Sequence, residues 1–326
     1  MTKTPSAQPQ LLTTDLFGTW QPPTPAKSKK APKVTKTLTL PPIDVEAARV
    51  DDAELRAFAL QSAPQPSGRP LHRPMGVEAL QTSDVATRLK ANALADQIAR
   101  MDGELTPEAV RALLAFSGAG GLGDQSASTN AFYTPSALAK FCWEIAAVLK
   151  AGPSALEFAA GGGAFLETAS RYTEITAVEL DETSSLVTRA LYPDVAHHHV
   201  PFESYHRQSQ DRPFNLVIGN PPYGGRGESG NLDRPHIRAA HWYFTFAGLE
   251  RLLPGGYMIT VVPEAMLRNP SEQKSREELL DRAHLLGAFL VPEGAFRLTG
   301  AGVTTAVLVL RRHDAGVYEV LQALTP

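Results

Sequence analysis

An α/β fold, a mostly parallel sheet with helices on both faces, is what this 326-residue sequence predicts. Three observations carry it. Six short apolar runs read as strands: 154–160 (SALEFAA), 174–180 (EITAVEL), 214–220 (FNLVIGN), 257–263 (YMITVVP), 285–291 (LLGAFLV) and 304–312 (TTAVLVLRR). Helical stretches separate several of them, among them DETSSLVTRALY and HIRAAHWYFTFAGLERLL, and strands alternating with helices form parallel sheets. Glycines, acids and an Asn-Pro-Pro turn fall just after strands, where such sheets bind their ligands.

Taken in order, residues 1–42 are rich in Pro, Thr and Lys without periodicity, a composition that predicts a disordered basic tail. Six lysines against Asp15 give this tail +5; with a whole-chain net charge of −3, the rest stands at −8. A body that acidic does not read as a general nucleic-acid binder, so contact with DNA must come from a local patch or the tail. Inside the tail, QLLTTDLFG is an apolar island whose TDLF core, with Leu16 and Phe17, resembles peptides that dock on the replication sliding clamp. Residues 43–118 are expected to form a small helical cap, with Thr106 and Pro107 opening one helix as N-cap and first-turn proline. The glycine-rich stretch 117–130 then leads into the main domain, 119–326.

Cys142 is the only cysteine, so no disulfide framework can form within one chain, which suits a reducing cytoplasm. No apolar run approaches the roughly 20 residues of a membrane span. His197, His198 and His199 fall in a segment read as a solvated loop, because consecutive residues point different ways and no cysteine is near; no metal is expected.

Three strand ends carry the chemistry. Gly161, Gly162 and Gly163 lie between a strand and a helix start, where glycine allows a tight turn and helix N–H groups stand open. The spacing is neither the dinucleotide fingerprint nor a Walker loop. Glu179 ends the next strand, where a carboxylate can accept from both hydroxyls of a ribose, and Asp181 suits the N-cap of the following helix. The strand at 214–220 stops at Asn220, because Pro221 and Pro222 cannot donate to a ladder, and Tyr223 comes next. The turn is thereby rigid, with an amide and an aromatic ring held at its end.

With FYTP at 132–135, LEFAAGGGAFL at 156–166, VELD at 178–181 and GNPPYG at 219–224, the chain resembles gamma-type DNA adenine-N6 methyltransferases, including methylase modules of phage and plasmid proteins. The resemblance spans about 110–312. It implies a Rossmann-like class I methyltransferase sheet, S-adenosylmethionine as cofactor and DNA as substrate. In that reading Tyr133, Thr134 and Pro135 cover the methionine end of the cofactor. Glu157, Ala159, Gly161, Gly163, Phe165, Glu179, Leu180 and Asn220 line its site, and Glu203 approaches its adenine, although Phe202 precedes the acid here in inverted order. Asn220 and the Pro221 carbonyl would accept the two protons of the target amine, Pro222 would stiffen the turn, and Tyr223 would stack on a base flipped from the duplex. Phe296 aligns with a residue that packs on the base or serves as a core aromatic, and Arg226, with Arg234 and Arg238, lies in a segment that either touches phosphates or forms a surface loop.

Asn-Pro-Pro-Tyr also occurs in enzymes that methylate a release-factor glutamine or an RNA guanine, while cytosine-N4 enzymes more often have serine in place of Asn220. A DNA-binding anti-restriction protein without turnover is the alternative from another class. The short stretch after VLVLRR leads us to expect relaxed sequence preference, or recognition through residues 42–118, a specificity subunit or a helicase partner.

Overall fold

The computed structural model describes residues 10–12, 84–118, 134–169, 173–209, 212–225, 234, 236–292, 295–296 and 304–314. Their strands form one sheet in the order β1-β7-β8-β6-β5-β2-β3-β4. The ranges are β1 Gln10–Leu12, β2 Ser154–Glu157, β3 Glu174–Glu179, β4 Ala196–His199, β5 Phe214–Gly219, β6 Leu252–Pro263, β7 Ala283–Leu290 and β8 Thr305–Arg312. The run β6-β5-β2-β3-β4 is parallel, while β8 lies antiparallel between β6 and β7.

Nine α-helices are seen among the described residues: α1 Val85–Ala99, α2 Pro107–Leu114, α3 Ser136–Val148, α4 Ala164–Thr168, α5 Glu182–Leu191, α6 Phe202–Gln208, α7 Ala240–Glu250, α8 Glu264–Arg268 and α9 Gln273–Leu280. None is long and apolar enough to cross a membrane. Strand alternation divides the core between the two faces. On β5, Leu216 and Ile218 join Cys142, Phe165 and Val187, whereas Val217 joins Tyr243, Phe246 and Met258. Each face is thus a separate apolar layer, with α1 to α5 on one side and α6 to α9 on the other. The central strands are largely apolar because both of their faces are covered.

The capping residues act as the sequence indicates. Thr106 Oγ1 accepts from the Ala109 amide at 3.2 Å, and Asp181 Oδ1 from the Ser184 amide at 2.8 Å. Of the cap region, α1 and α2 pack against α5, joined by Arg100 to Glu182 at 3.1 Å and Thr183 to Asp96 at 2.7 Å. Arg88, 3% exposed, and Asn92 bind Ser117 and Gly118 and so fix the point where the glycine-rich stretch begins.

One expectation is corrected. The histidine run is no loop: Ala196–His199 pairs with Thr176–Glu179 as a parallel edge strand. Its polarity hid it, since an edge strand takes its backbone partners from one neighbour and can leave its side chains in water. Within the tail, Gln10–Leu12 pairs antiparallel with Ala288–Leu290 and closes the opposite edge. The ladder of an open edge recruits backbone, which composition does not report. Leu16 and Phe17 lie outside the described residues, as do residues 43–83 of the expected helical cap.

Candidate active site

The parallel strands deliver their carboxyl ends to one side of the sheet, and the marked residues converge there. After β2 the chain turns through Gly161, at φ +51°, and Gly163, at φ +87°. Gly163 caps α4, and a Cβ there would lie 2.8 Å from the Tyr192 ring, so a side chain is excluded by both space and backbone conformation. Phe165 is buried in the core with only 2% exposure, and its carbonyl accepts from the Trp143 indole at 2.9 Å, which ties α4 to α3. Ala159 is half-buried beside the turn.

Glu179 ends β3 pointing at this turn. One carboxylate oxygen accepts from the Gly161 amide at 2.6 Å and the other from the Asp181 amide at 2.7 Å. Burial pushes its pKa up, the two amides oppose that, and Asp181 adds repulsion; the net direction is upward. Each oxygen keeps a free lone pair, so the carboxylate can still accept from two ligand hydroxyls. Leu180 beside it is 64% exposed, a large apolar side chain held in water at the cleft rim. The Leu180 carbonyl is bound by His199 Nε2 at 3.1 Å. Glu203 lies in the first turn of α6, directly after β4.

Glu157, the last residue of β2, is 1% exposed, and neither of its oxygens finds a hydrogen-bond partner among the described residues. Burial, reinforced by the Glu179 charge, raises its pKa well above the usual carboxylate range. A buried carboxyl without a partner among the described residues, at the carboxyl end of a central strand, fits a ligand that brings positive charge or donors.

At the end of β5, Asn220 donates from Nδ2 to Thr134 Oγ1 at 3.0 Å, and its Oδ1 accepts from the Tyr223 hydroxyl at 2.6 Å. Thr134 belongs to the segment expected to cover the cofactor, so one amide joins that segment to the rigid turn. Tyr223 is buried, and burial raises its pKa far above that of a free phenol, so it stays a proton donor. Its hydroxyl occupies an acceptor that a target amine would need. Pro221 is buried and Pro222 partly so.

The remaining expected residues have other surroundings or none described. Phe296, 4% exposed, belongs to the core layer of Val291, Val307 and Val309. Arg234 is committed to Glu250, which also meets His206 at 3.3 Å and Arg282 at 3.2 Å, while Arg238 is exposed. Tyr133 and Arg226 lie outside the described residues. Sequence reasoning passed over Trp143, one more apolar residue in a helix, and read His199 as part of a loop because the strand that carries it is polar.

Residues 123–322 match the N-6 DNA Methylase family. The chain belongs to that family. Methylases of this family use S-adenosylmethionine, and the unpartnered Glu157, the glycine turn and the Glu179 carboxylate suit a cationic nucleoside of that kind. A curated relative, "Defense against restriction protein B" of Escherichia phage P1, is 32% identical over 218 residues, which are 66% of this chain and 10% of that protein. The chain therefore spans about a tenth of the length of that relative. Among solved structures, a putative class I S-adenosylmethionine-dependent methyltransferase from Listeria monocytogenes aligns with a TM-score of 0.48 and 21% identity, covering 59% of this chain and 64% of that one. A modification subunit of a putative type I restriction enzyme from Vibrio vulnificus gives 0.48 and 22%, covering 59% and 47%.

Proposed function

We propose that this methylase transfers a methyl group from S-adenosylmethionine to the N6 amine of adenine in DNA. The observation that carries the reading is the Asn220 corner: an amide oxygen and the Pro221 carbonyl on a proline-stiffened turn, with the amide nitrogen held by Thr134. When bound, the cofactor supplies a methyl group on a positively charged sulfur, so the transfer calls for no metal.

An exocyclic aromatic amine is a weak nucleophile because its lone pair is shared with the ring. Two acceptors that take its protons favour a tetrahedral nitrogen with the lone pair localised and directed. Acceptors fixed in advance need no reorganisation at the moment of reaction and are strongest where water is excluded. The incoming amine displaces the Tyr223 hydroxyl from Asn220 Oδ1, and the freed ring stacks on the flipped base. Glu179 would hold the cofactor ribose, Gly161 and Gly163 would let the backbone approach it, and Leu180 would pack on its base. Glu203 stands close to that base at the start of α6. The residues beyond Tyr223, including Arg226, would face DNA, and a specificity or helicase partner would supply sequence choice.

The likeness to a protein named for defence against restriction supports a protective purpose for the methyl mark. The test incubates the purified chain with methyl-labelled S-adenosylmethionine and, separately, duplex DNA, single-stranded DNA, RNA and a release factor, then identifies products by mass. Label in N6-methyladenine from DNA is the expected result. Label in RNA or in a protein glutamine would overturn the substrate, and a restriction digest of the treated DNA tests protection directly.

A further inference from the structure

Two glutamates stand at adjacent strand ends, and only one has its carboxylate satisfied. Glu179 accepts two backbone amides, at 2.6 and 2.7 Å. Glu157 has none among the described residues and is 1% exposed. Its register partners on the flanking strands, Ala177 on β3 and Ile218 on β5, carry no charge or donor side chain. A Cβ at Gly219 would stand 3.8 Å from Glu157 Cγ, so the side chain lies against the last residue of β5, next to Asn220. The charged group that acts on it is Glu179, backed by Asp181, and both are acids. A buried carboxylate with no donor, no cation and a like charge beside it is the costly form of the group, and the protonated acid is the cheap one.

The ligand of this cleft reverses that balance. S-adenosylmethionine carries an ammonium and a sulfonium, so its arrival brings positive charge into a site whose own charges are negative. We propose that Glu157 holds a proton while the site is empty and releases it to solvent when S-adenosylmethionine binds, making cofactor uptake proton-coupled. The inference rests on the assignment of this cleft as the cofactor site and goes beyond it by naming the group that changes charge.

Linkage fixes the sign. In the empty protein the Glu157 proton is held to a pH above the usual carboxylate range, and in the complex it leaves at lower pH. Between those two values binding releases a proton, and affinity rises with pH by up to about tenfold per unit. Below and above that window the slope vanishes.

The experiment is calorimetric titration of the full chain with S-adenosylmethionine in buffers of different ionisation enthalpy, across a pH series, for wild type and Glu157→Gln. Glutamine has the size of the protonated acid and no charge, so the empty fold should tolerate it. The expected result is release of a proton, up to about one per site, together with an affinity that rises with pH, both lost in the glutamine variant. Equal proton release in the two proteins, or pH-independent affinity in wild type, overturns the inference while leaving the cofactor site intact. Absence of S-adenosylmethionine binding in wild type overturns both. Should the variant fold but fail to bind, infrared spectra of the empty proteins decide: a protonated-carboxyl band present in wild type and absent from Glu157→Gln supports the proposal, and identical spectra contradict it.

Discussion

The ends of β2 and β3 present the same side chain in opposite circumstances. Glu179 is partly exposed and its charge is met by the backbone on both oxygens, whereas Glu157 is sealed and met by nothing among the described residues. The difference lies in the path of the chain beyond each residue. After Glu179 the chain turns at once into a helix capped by Asp181, and that turn brings an amide back to the carboxylate. After Glu157 the chain runs on through the buried Phe158 to the glycines, whose nearest amide goes to Glu179 instead. One strand end is thus a finished acceptor, and the other is a carboxyl with no partner among the described residues.

The contrast is breakable, starting with the largest effect. Glu179→Ala removes a preset acceptor of charge-assisted bonds, so S-adenosylmethionine affinity should fall by about 10- to 100-fold, read by calorimetry. Should Glu179→Ala bind as wild type does, the two ends would be equivalent and the ribose assignment would fail.

A smaller effect concerns the empty protein. Because the Glu157 carboxyl is raised above its unfolded value, folding binds its proton more tightly, and stability falls as pH rises from the ordinary glutamate range through the raised value. Glu157→Gln should abolish that fall and raise the neutral-pH thermal midpoint by a few degrees, about 2–4 °C for each kcal/mol recovered. A variant that melts earlier than wild type at neutral pH would mean that the carboxylate is satisfied after all.

The smallest effect comes from a glutamate on the far side of α7. Burial pushes the Glu250 carboxyl up, but hydrogen bonds from His206 and Arg234 outweigh it and bring it to about 2. Its contribution is present above the ordinary glutamate pKa and is lost as pH falls toward 2. Because Glu250 is about a third exposed, Glu250→Gln should cost only about 1 kcal/mol near neutrality in denaturant titrations, and nothing below pH 2. A loss independent of pH would assign the residue a packing role instead.

Much of this was legible in the sequence because strand ends are punctuated by residues with few physical uses. Asn220-Pro221-Pro222, the glycine run and Glu179 after an apolar run each mark a position where the backbone must stop, turn or meet a ligand. The Asp181 and Thr106 caps were legible for the same reason, since a short acceptor before a helical stretch has one dominant use. The strand Ala196–His199 was not, because a polar edge carries neither alternation nor an apolar run. Nor was the state of Tyr223: its place in the motif suggests a stacking ring, and only the fold shows its hydroxyl on Asn220. The isolation of Glu157 is likewise a property of neighbours on two other strands. Arg234, a candidate phosphate contact in the sequence, is claimed by Glu250 from a helix end 16 residues later.

The most direct test of the account is a paired measurement on wild type and Asn220→Ala, tracking S-adenosylmethionine binding and single-turnover methyl transfer to DNA in the same samples. The account predicts cofactor affinity within a few-fold of wild type and a transfer rate lower by about 10²- to 10³-fold, with N6-methyladenine as the wild-type product. Undiminished transfer by Asn220→Ala, or a methyl group on another base, would contradict it.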